Sequence, residues 1–311
     1  MSARRRGATD LAGILLLDKP AGITSHDVVA AVRRATGEGR IGHAGTLDPM
    51  ATGLLVVLVG PYTRLEPYLS AATKSYEATI SFGSATDTDD ADGEVVATAA
   101  IPSRLLDPEY ARAALASVLG EGVQTPPAYS AIKVAGRTAH KAARAGEALE
   151  LAPRRIVVTQ ADLLAVHRDP PSWDVALMVS KGTYIRAIAR DLGEAQGTRA
   201  HLTVLRRTAS GALRLADACP LDSVRAAAES GGAPAVAALF VDPLSALGLP
   251  HVASDRAAVT TGRPLPRGSA PEGSADGSRV AVTVGGDLAA VYRVAADSLA
   301  PEVVLLQGDA A

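Results

Sequence analysis

The chain has 311 residues, a formal net charge of -2 and a single cysteine, Cys219. Length alone sets an expectation of about two domains. The near-neutral charge excludes a globally basic nucleic-acid binder, so any basic face is local, and one cysteine excludes both an internal disulfide and a thiolate metal cluster.

Hydrophobic residues make up 48% and aromatics 3%, so the core is built from Leu, Val, Ile and Ala, and an aromatic in a polar setting stands out. The six histidines are scattered without zinc-ligand spacing, and no metal is expected. The apolar run Ile14 to Leu17 is too short for a signal sequence, and no stretch approaches a membrane span. These features predict a soluble, cytoplasmic protein.

In chain order, ILLLD (13–18 region) reads as a buried strand and Lys19-Pro20-Ala21-Gly22 as a turn. Thr24 with Asp27 three residues on forms a capping-box variant for a helix that turns Val28, Val29 and Val32 inward and ends at Gly37. GHAGTLDPMATG, 42–53, is a loop of small residues around one carboxylate, Asp48, followed by an apolar strand, 54–59. KSYEATISFG, 74–83, alternates: Tyr76, Ala78, Ile80 and Phe82 share one face of a half-buried strand. DTDDADGE, 87–94, fails as a calcium loop, because Thr88 falls at the first ligand position and Ala99 at the last; it reads as an acidic hairpin turn.

Residues 107–119 have helical character. From Tyr129 to Arg155 six Lys or Arg stand against two Glu, a local net of +4. Residues 174–180 read as a strand. After the turn 181–183, a helix places Ile185, Ile188, Ala189 and Leu192 on one face and Arg186 and Arg190 on another. Residues 199–214 carry four Arg, one His and no acid. ESGGAPA, 229–235, reads as a linker, and 268–278 as a mobile Gly/Ser loop. From Asp242 onward, short Val- and Ala-rich segments between Gly and Pro turns suggest a small β domain of net negative charge.

One carboxylate without a second acid or metal ligands in its segment does not fit glycoside hydrolysis, which uses two. It fits an isomerisation at a sugar C1′, in which a base is detached and reattached. The carboxylate must then stay ionised, held by a nearby cation or hydrogen bonds. A plainer role for Asp48 is to cap the turn before a strand.

GHAGTLDPMATGLL resembles the active-site loop of the TruB family of tRNA pseudouridine synthases. ILLLDKPAGITSHDVV, KSYEATISFG, PPAYSAIKVAGRTAHKAARAG and SKGTYIRAIARDLG resemble further blocks of that family, in order, from residue 12 to about 215. The resemblance implies an α+β pseudouridine synthase fold with a mainly antiparallel sheet and flanking helices, spanning 10–235. It implies an RNA-gripping insertion at about 124–152 and a β-rich, PUA-like C-terminal domain at 240–311. It implies conversion of the T-loop uridine of tRNA, nucleotide 55, to pseudouridine, without a cofactor; a monomer without an obligate protein partner is the default for an enzyme that wraps one stem-loop.

By the same resemblance, Asp48 is the catalytic aspartate, Tyr76 stacks on the flipped base and Arg186 pairs with the aspartate. Tyr184 and Leu205 line the pocket, and His43 helps hold the T loop with its base out. Lys19, Lys133 and Arg144 are candidate RNA contacts. Singly, each has a plainer reading: a core tyrosine, a solvated helix arginine, a turn lysine, a loop histidine. Flipping a base out costs a few kcal/mol, and stacking on an aromatic recovers roughly 1–3 kcal/mol. His140 and Val179 depart from the tyrosine and cysteine common in the family. The alternatives are an RNA-folding chaperone, a guide-RNA-dependent relative acting on ribosomal RNA, and a nucleoside hydrolase.

Overall fold

A computed structural model describes residue 9 and residues 11–306 apart from 135 and 148. Two sheets organise it. The larger has ten strands, and its first strand, β1 (Gly13–Lys19), pairs antiparallel with β3 (Thr52–Val59). Residues 14–17 of β1 and 54–59 of β3 are unbroken apolar runs, as strands covered on both faces require. Leu15, Leu17, Leu55 and Val57 enter a core on one side; Ile14, Leu16, Leu54, Val56 and Leu58 enter a second core on the other.

Between them, α1 (Ser25–Thr36) starts at Thr24, which accepts the Asp27 N–H while Asp27 accepts that of Thr24, and stops at left-handed Gly37. The short strand β2 (Ile41–His43) pairs with β3, and α2 (Glu66–Ser70) leads into β4 (Lys74–Phe82). In β4 the buried positions alternate as the hydrophobic pattern predicts. Its other face, with Ser75, Thr79 and Ser81, is partly open to solvent.

The hairpin β5 (Ser84–Thr86) and β6 (Val95–Thr98) carries the acidic turn. Then come α3 (Pro108–Ala116), β7 (Gly120–Gln124), a small hairpin of β8 (Lys133–Val134) and β9 (Arg137–Thr138), and α4 (Ala139–Arg144). The long antiparallel pair β10 (Arg154–Arg168) and β11 (Pro171–Val179) is followed by α5 (Ile185–Ala195) and β12 (Ala200–Ser210). The sheet order is β14-β1-β3-β12-β4-β11-β10-β7, with β13 (Leu213–Arg214) on β12 and β14 (Cys219–Pro220) parallel to β1.

At the centre β3 and β12 run parallel, with Arg207 opposite Gly53. The strands approach so closely there that a Cβ on Gly53 (φ 96°) would meet the Arg207 carbonyl oxygen at 2.3 Å. Gly53→Ala is therefore expected to destabilise the fold by about 2–4 kcal/mol, combining left-handed backbone strain with overpacking. A urea unfolding midpoint measures this, and an unchanged midpoint would contradict the close approach.

Residues 229–235 are not a linker. They lie inside α6 (Leu221–Ala237), which bends at left-handed Gly232 and resumes through Pro234. A glycine-rich composition was compatible with either form, and Val224 and Val236, both buried, draw the two halves onto the core. After α7 (Pro243–Leu247), the second sheet comprises β15 (His251–Ala253), β16 (Leu265–Pro266), β17 (Arg279–Val284), β18 (Asp287–Val294) and β19 (Ser298–Val304), with α8 (Arg256–Thr260) adding Val259 to its core. Ala281, Leu288, Val291 and Leu305 from this part close over the outer side of β1 and β3. Between β16 and β17 the chain forms turns, with Arg267 donating to the Ser274 carbonyl at 2.6 Å.

Candidate active site

The 44–51 loop is anchored from inside. Its carbonyls turn toward buried donors: Arg207 reaches Gly45 O at 3.0 Å and Thr46 O at 3.4 Å, and Lys19 Nζ reaches Pro49 O at 3.2 Å. Ser25 Oγ both accepts from Leu47 N–H and donates to Leu47 O. Between these anchors the Asp48 side chain is held within the site, largely enclosed, with a third of its surface exposed.

Arg186 meets it from α5. It is the second residue of a helix whose Ile185, Ile188 and Ala189 face the core, so it is drawn inward with them to 3% exposure. Its Nε lies 2.9 Å from Asp48 Oδ2. The N–H is not aimed along that oxygen, so the contact is an ion pair rather than an aligned hydrogen bond. The guanidinium also lies 3.4 Å from Asp90 Oδ2 and donates to Thr88 O at 2.6 Å and Tyr129 O at 3.0 Å.

In the sequence Asp90 is one acid of an acidic hairpin turn. The fold makes that turn the outer wall of the arginine's seat. Asp89, left-handed at φ 62°, pairs with Arg190 at 2.9 Å. Asp90 is then directed at Arg186 and fixed by Thr88 Oγ1 at 2.6 Å and Asp92 N–H at 3.1 Å. Asp48 therefore has a second acid near it after all, on the far side of a shared cation.

The electrostatics correct a simpler expectation. Burial raises the Asp48 carboxyl above its ordinary value; Arg186 pulls it back, Asp90 pushes it up again and Lys19 lowers it. The net direction is upward, so Arg186 does not fully offset desolvation. A reaction needing the ionised form should lose rate, as pH falls, above the usual carboxylate range. Single-turnover rates across pH check this; an acid limb at or below 3.8, the ordinary value, would overturn it.

Tyr76 and Leu205 are both largely buried and share one apolar cluster with Leu47 and Ala51 from the loop. Tyr184 caps α5 and exchanges backbone hydrogen bonds with the Gln124 amide, 2.9 and 3.1 Å. Its hydroxyl is raised mainly by burial, and the Asp48 charge adds to that. His43 is half-buried at the start of the loop. Its Nδ1 has no partner among the described residues, and burial, then Arg207, lower its pKa. His140 Nδ1 lies 3.2 Å from Ser130 O.

Lys19 is not presented at the surface as an RNA contact. It is fully buried, and its ammonium donates to the carbonyls of Pro20, Ile23 and Pro49. Burial lowers it to about 8, against the pull of Asp48. Lys133 and Arg144 are exposed on β8 and α4. Two buried cations were missed. Arg207 is 1% exposed, and Lys74 is bound to Ala72 O at 2.6 Å and lowered to about 8 by burial. Among the described residues no group of three or more His, Cys, Asp or Glu is placed to hold a metal, and no helix is long and apolar enough to cross a membrane.

Residues 33–185 match the TruB family pseudouridylate synthase N-terminal domain, and 186–244 match the tRNA pseudouridylate synthase B C-terminal domain. A protein of Opitutus terrae named tRNA pseudouridine synthase B is 50% identical over 70% of this chain and 88% of its own length. The chain belongs to the TruB family. Like-named TruB relatives from Corynebacterium aurimucosum (49% identical) and Mycobacterium sp. strain KMS (50%) each align over 68% of this chain and 71% of their own.

The TruB fold extends to more distant structures. An archaeal box H/ACA sRNP Nop10-Cbf5 complex superposes with a TM-score of 0.71 at 23% identity, covering 96% of this chain and 87% of that one. A Cbf5-Nop10-Gar1 complex does so with a TM-score of 0.71 at 25% identity, covering 95% and 85%. Both superpositions extend beyond residue 244, where the two TruB domain matches end, to take in most of the second sheet.

Proposed function

We propose that this chain isomerises uridine to pseudouridine in the T loop of tRNA, nucleotide 55, with the base flipped out of its loop and Asp48 acting as nucleophile or base. The carrying observation is the Asp48–Arg186 ion pair at 2.9 Å, formed between a loop and a helix that are otherwise remote in sequence. In the reaction the bond from C1′ to N1 breaks and one from C1′ to C5 forms. N1 gains a proton and C5 loses one to water. No electrons are exchanged, so no redox cofactor is required.

Both available roles for Asp48, attack on C1′ and removal of a ribose proton, need the carboxylate ionised beside the sugar. Tyr76 would stack on the displaced base, Tyr184 and Leu205 would bound it, and His43 would support the opened loop. Residues 10–235 would form the catalytic unit and 240–311 a separate C-terminal unit. The reading is of a cytoplasmic monomer acting without a protein partner, because the basic 124–152 insertion offers it a grip of its own.

That grip is testable. Lys133→Ala and Arg144→Ala should each weaken tRNA binding and flatten its salt dependence by roughly one unit of slope, leaving the single-turnover rate intact. Unchanged salt slopes would remove these residues from the interface.

The deciding experiment is tritium release from a tRNA transcript labelled at uridine C5, with the product position mapped. Release from the T-loop uridine by this protein alone supports the proposal. Absence of release with tRNA bound would overturn it in favour of a chaperone or a guide-dependent enzyme.

A further inference from the structure

Arg207 is a fully buried guanidinium without an acid partner among the described residues. An uncompensated buried cation is costly, and an apolar side chain would fill the same space at less expense. Its donors are aimed at three backbone oxygens. Nε donates to Leu54 O at 2.7 Å, and the two terminal nitrogens to Gly45 O at 3.0 Å and Thr46 O at 3.4 Å.

Those oxygens lie on either side of Asp48 in the chain. Gly45 and Thr46 precede it, and Leu54 follows it in β3. One rigid side chain thus grips both ends of the span that presents the carboxylate. Backbone register adds a second link: Arg207 lies opposite Gly53 on β3 and opposite Tyr76 on β4. The residue that clamps the loop therefore sits between the strand leaving Asp48 and the strand carrying the stacking tyrosine. Gly45 takes φ 104°, a conformation that favours glycine, and lies against the guanidinium: a Cβ there would stand in ordinary contact, 3.5 Å from Arg207 Nη1.

We propose that Arg207 is a positioning residue for the isomerisation, fixing the Asp48 loop against β3 so that the carboxylate and the Tyr76 ring keep one mutual geometry. This rests on the function proposed above. Arg207 touches no reacting atom; it acts through the loop. Misplacement of a reacting group by about 1 Å costs on the order of 100-fold in rate. The guanidinium fork suits the task because it donates in several fixed directions, whereas an ammonium is a point charge with a shorter reach.

The test compares wild type, Arg207→Lys and Arg207→Met. It reads single-turnover tritium release at saturating tRNA, tRNA Kd, melting temperature, and amide hydrogen exchange at Gly45, Thr46 and Asp48. Expected are a loss of rate on the order of 100-fold for Met and about tenfold for Lys, an unchanged Kd, and faster exchange in the loop. A folded variant that turns over within about twofold of wild type overturns the proposal. So does a parallel fall in rate, affinity and melting temperature, which marks a purely structural residue. If Arg207→Met does not fold, Arg207→Lys decides by the same criteria. If wild type itself releases no tritium, the functional reading fails, and loop exchange still decides on Arg207: wild-type exchange in Arg207→Lys overturns it.

Discussion

Asp48→Asn is expected to abolish tritium release from the T-loop uridine, by about 10⁴-fold or more, while binding tRNA as well as wild type. The amide keeps the shape of the carboxylate and loses its charge, so it can neither attack C1′ nor take a ribose proton. Stability should move the other way. The carboxyl is raised in the folded protein, above the 3.8 that an exposed aspartate shows. Its ionisation therefore penalises the folded state increasingly as pH rises through that window. Removing it should leave the melting temperature at pH 7 unchanged or higher, as for a site that trades stability for function. Retained isomerisation by Asp48→Asn would remove the carboxylate from the chemistry, and a markedly lower melting temperature would show that it serves the fold.

Arg186→Met is expected to be damaging in two ways. The arginine is 3% exposed and stands between Asp48 and Asp90, and it satisfies two further carbonyls. Deleting one partner of a buried charge cluster costs about 3–5 kcal/mol. It also leaves two carboxylates facing each other without their shared cation, so the Asp48 carboxyl rises further. The acid limb of the pH–rate profile should then move to higher pH, with the plateau rate lower by about 10²-fold or more. Arg186→Lys keeps a charge but cannot span four acceptors, and should fall between. Profiles with superimposable acid limbs in wild type and Arg186→Lys, and equal plateaus, would show that the fork of the guanidinium is immaterial.

The sequence made the strands around the site legible because their burial follows simple rules. The unbroken apolar run of β3 matches a strand covered on both sides, and the alternation in β4 matches one covered mainly on one side. The pairing of Asp48 with Arg186 was legible through a long motif rather than through periodicity. Asp90 was not, since an acid-rich turn reads identically whether it faces water or a buried arginine. Lys19 looked like a turn lysine, because nothing in DKPAG reveals that three carbonyls converge on its ammonium. Arg207 left a usable trace. Adjacent residues of a strand face opposite sides, so in an Arg-Arg pair on β12 one had to point inward. Arg206 takes the outer position and pairs with Asp18 at 2.7 Å. The ESGGAPA segment misled because composition reports flexibility of the chain, not whether flanking valines will hold it in a bent helix.

The partners of the 44–51 loop come from distant points in the chain. Ser25 lies 22 residues from Leu47, and Arg207 lies 162 residues from Gly45. Arg186 reaches Asp48 only after the whole of β4 to β11 has been laid between them. The centre is therefore complete only once β12 lies between β3 and β4, a long-range closure. Contacts of this separation are slow to form, because loop-closure entropy is lost before they reward it. During synthesis the chain emerges from its N-terminus, so Lys19, Ser25 and Asp48 appear long before Arg186 and Arg207, the two arginines that complete its seat. A nascent chain released short of Arg207 would hold the signature loop and most of the sheet, yet no assembled centre. Ordering of this loop would thus report that β12 has joined the sheet.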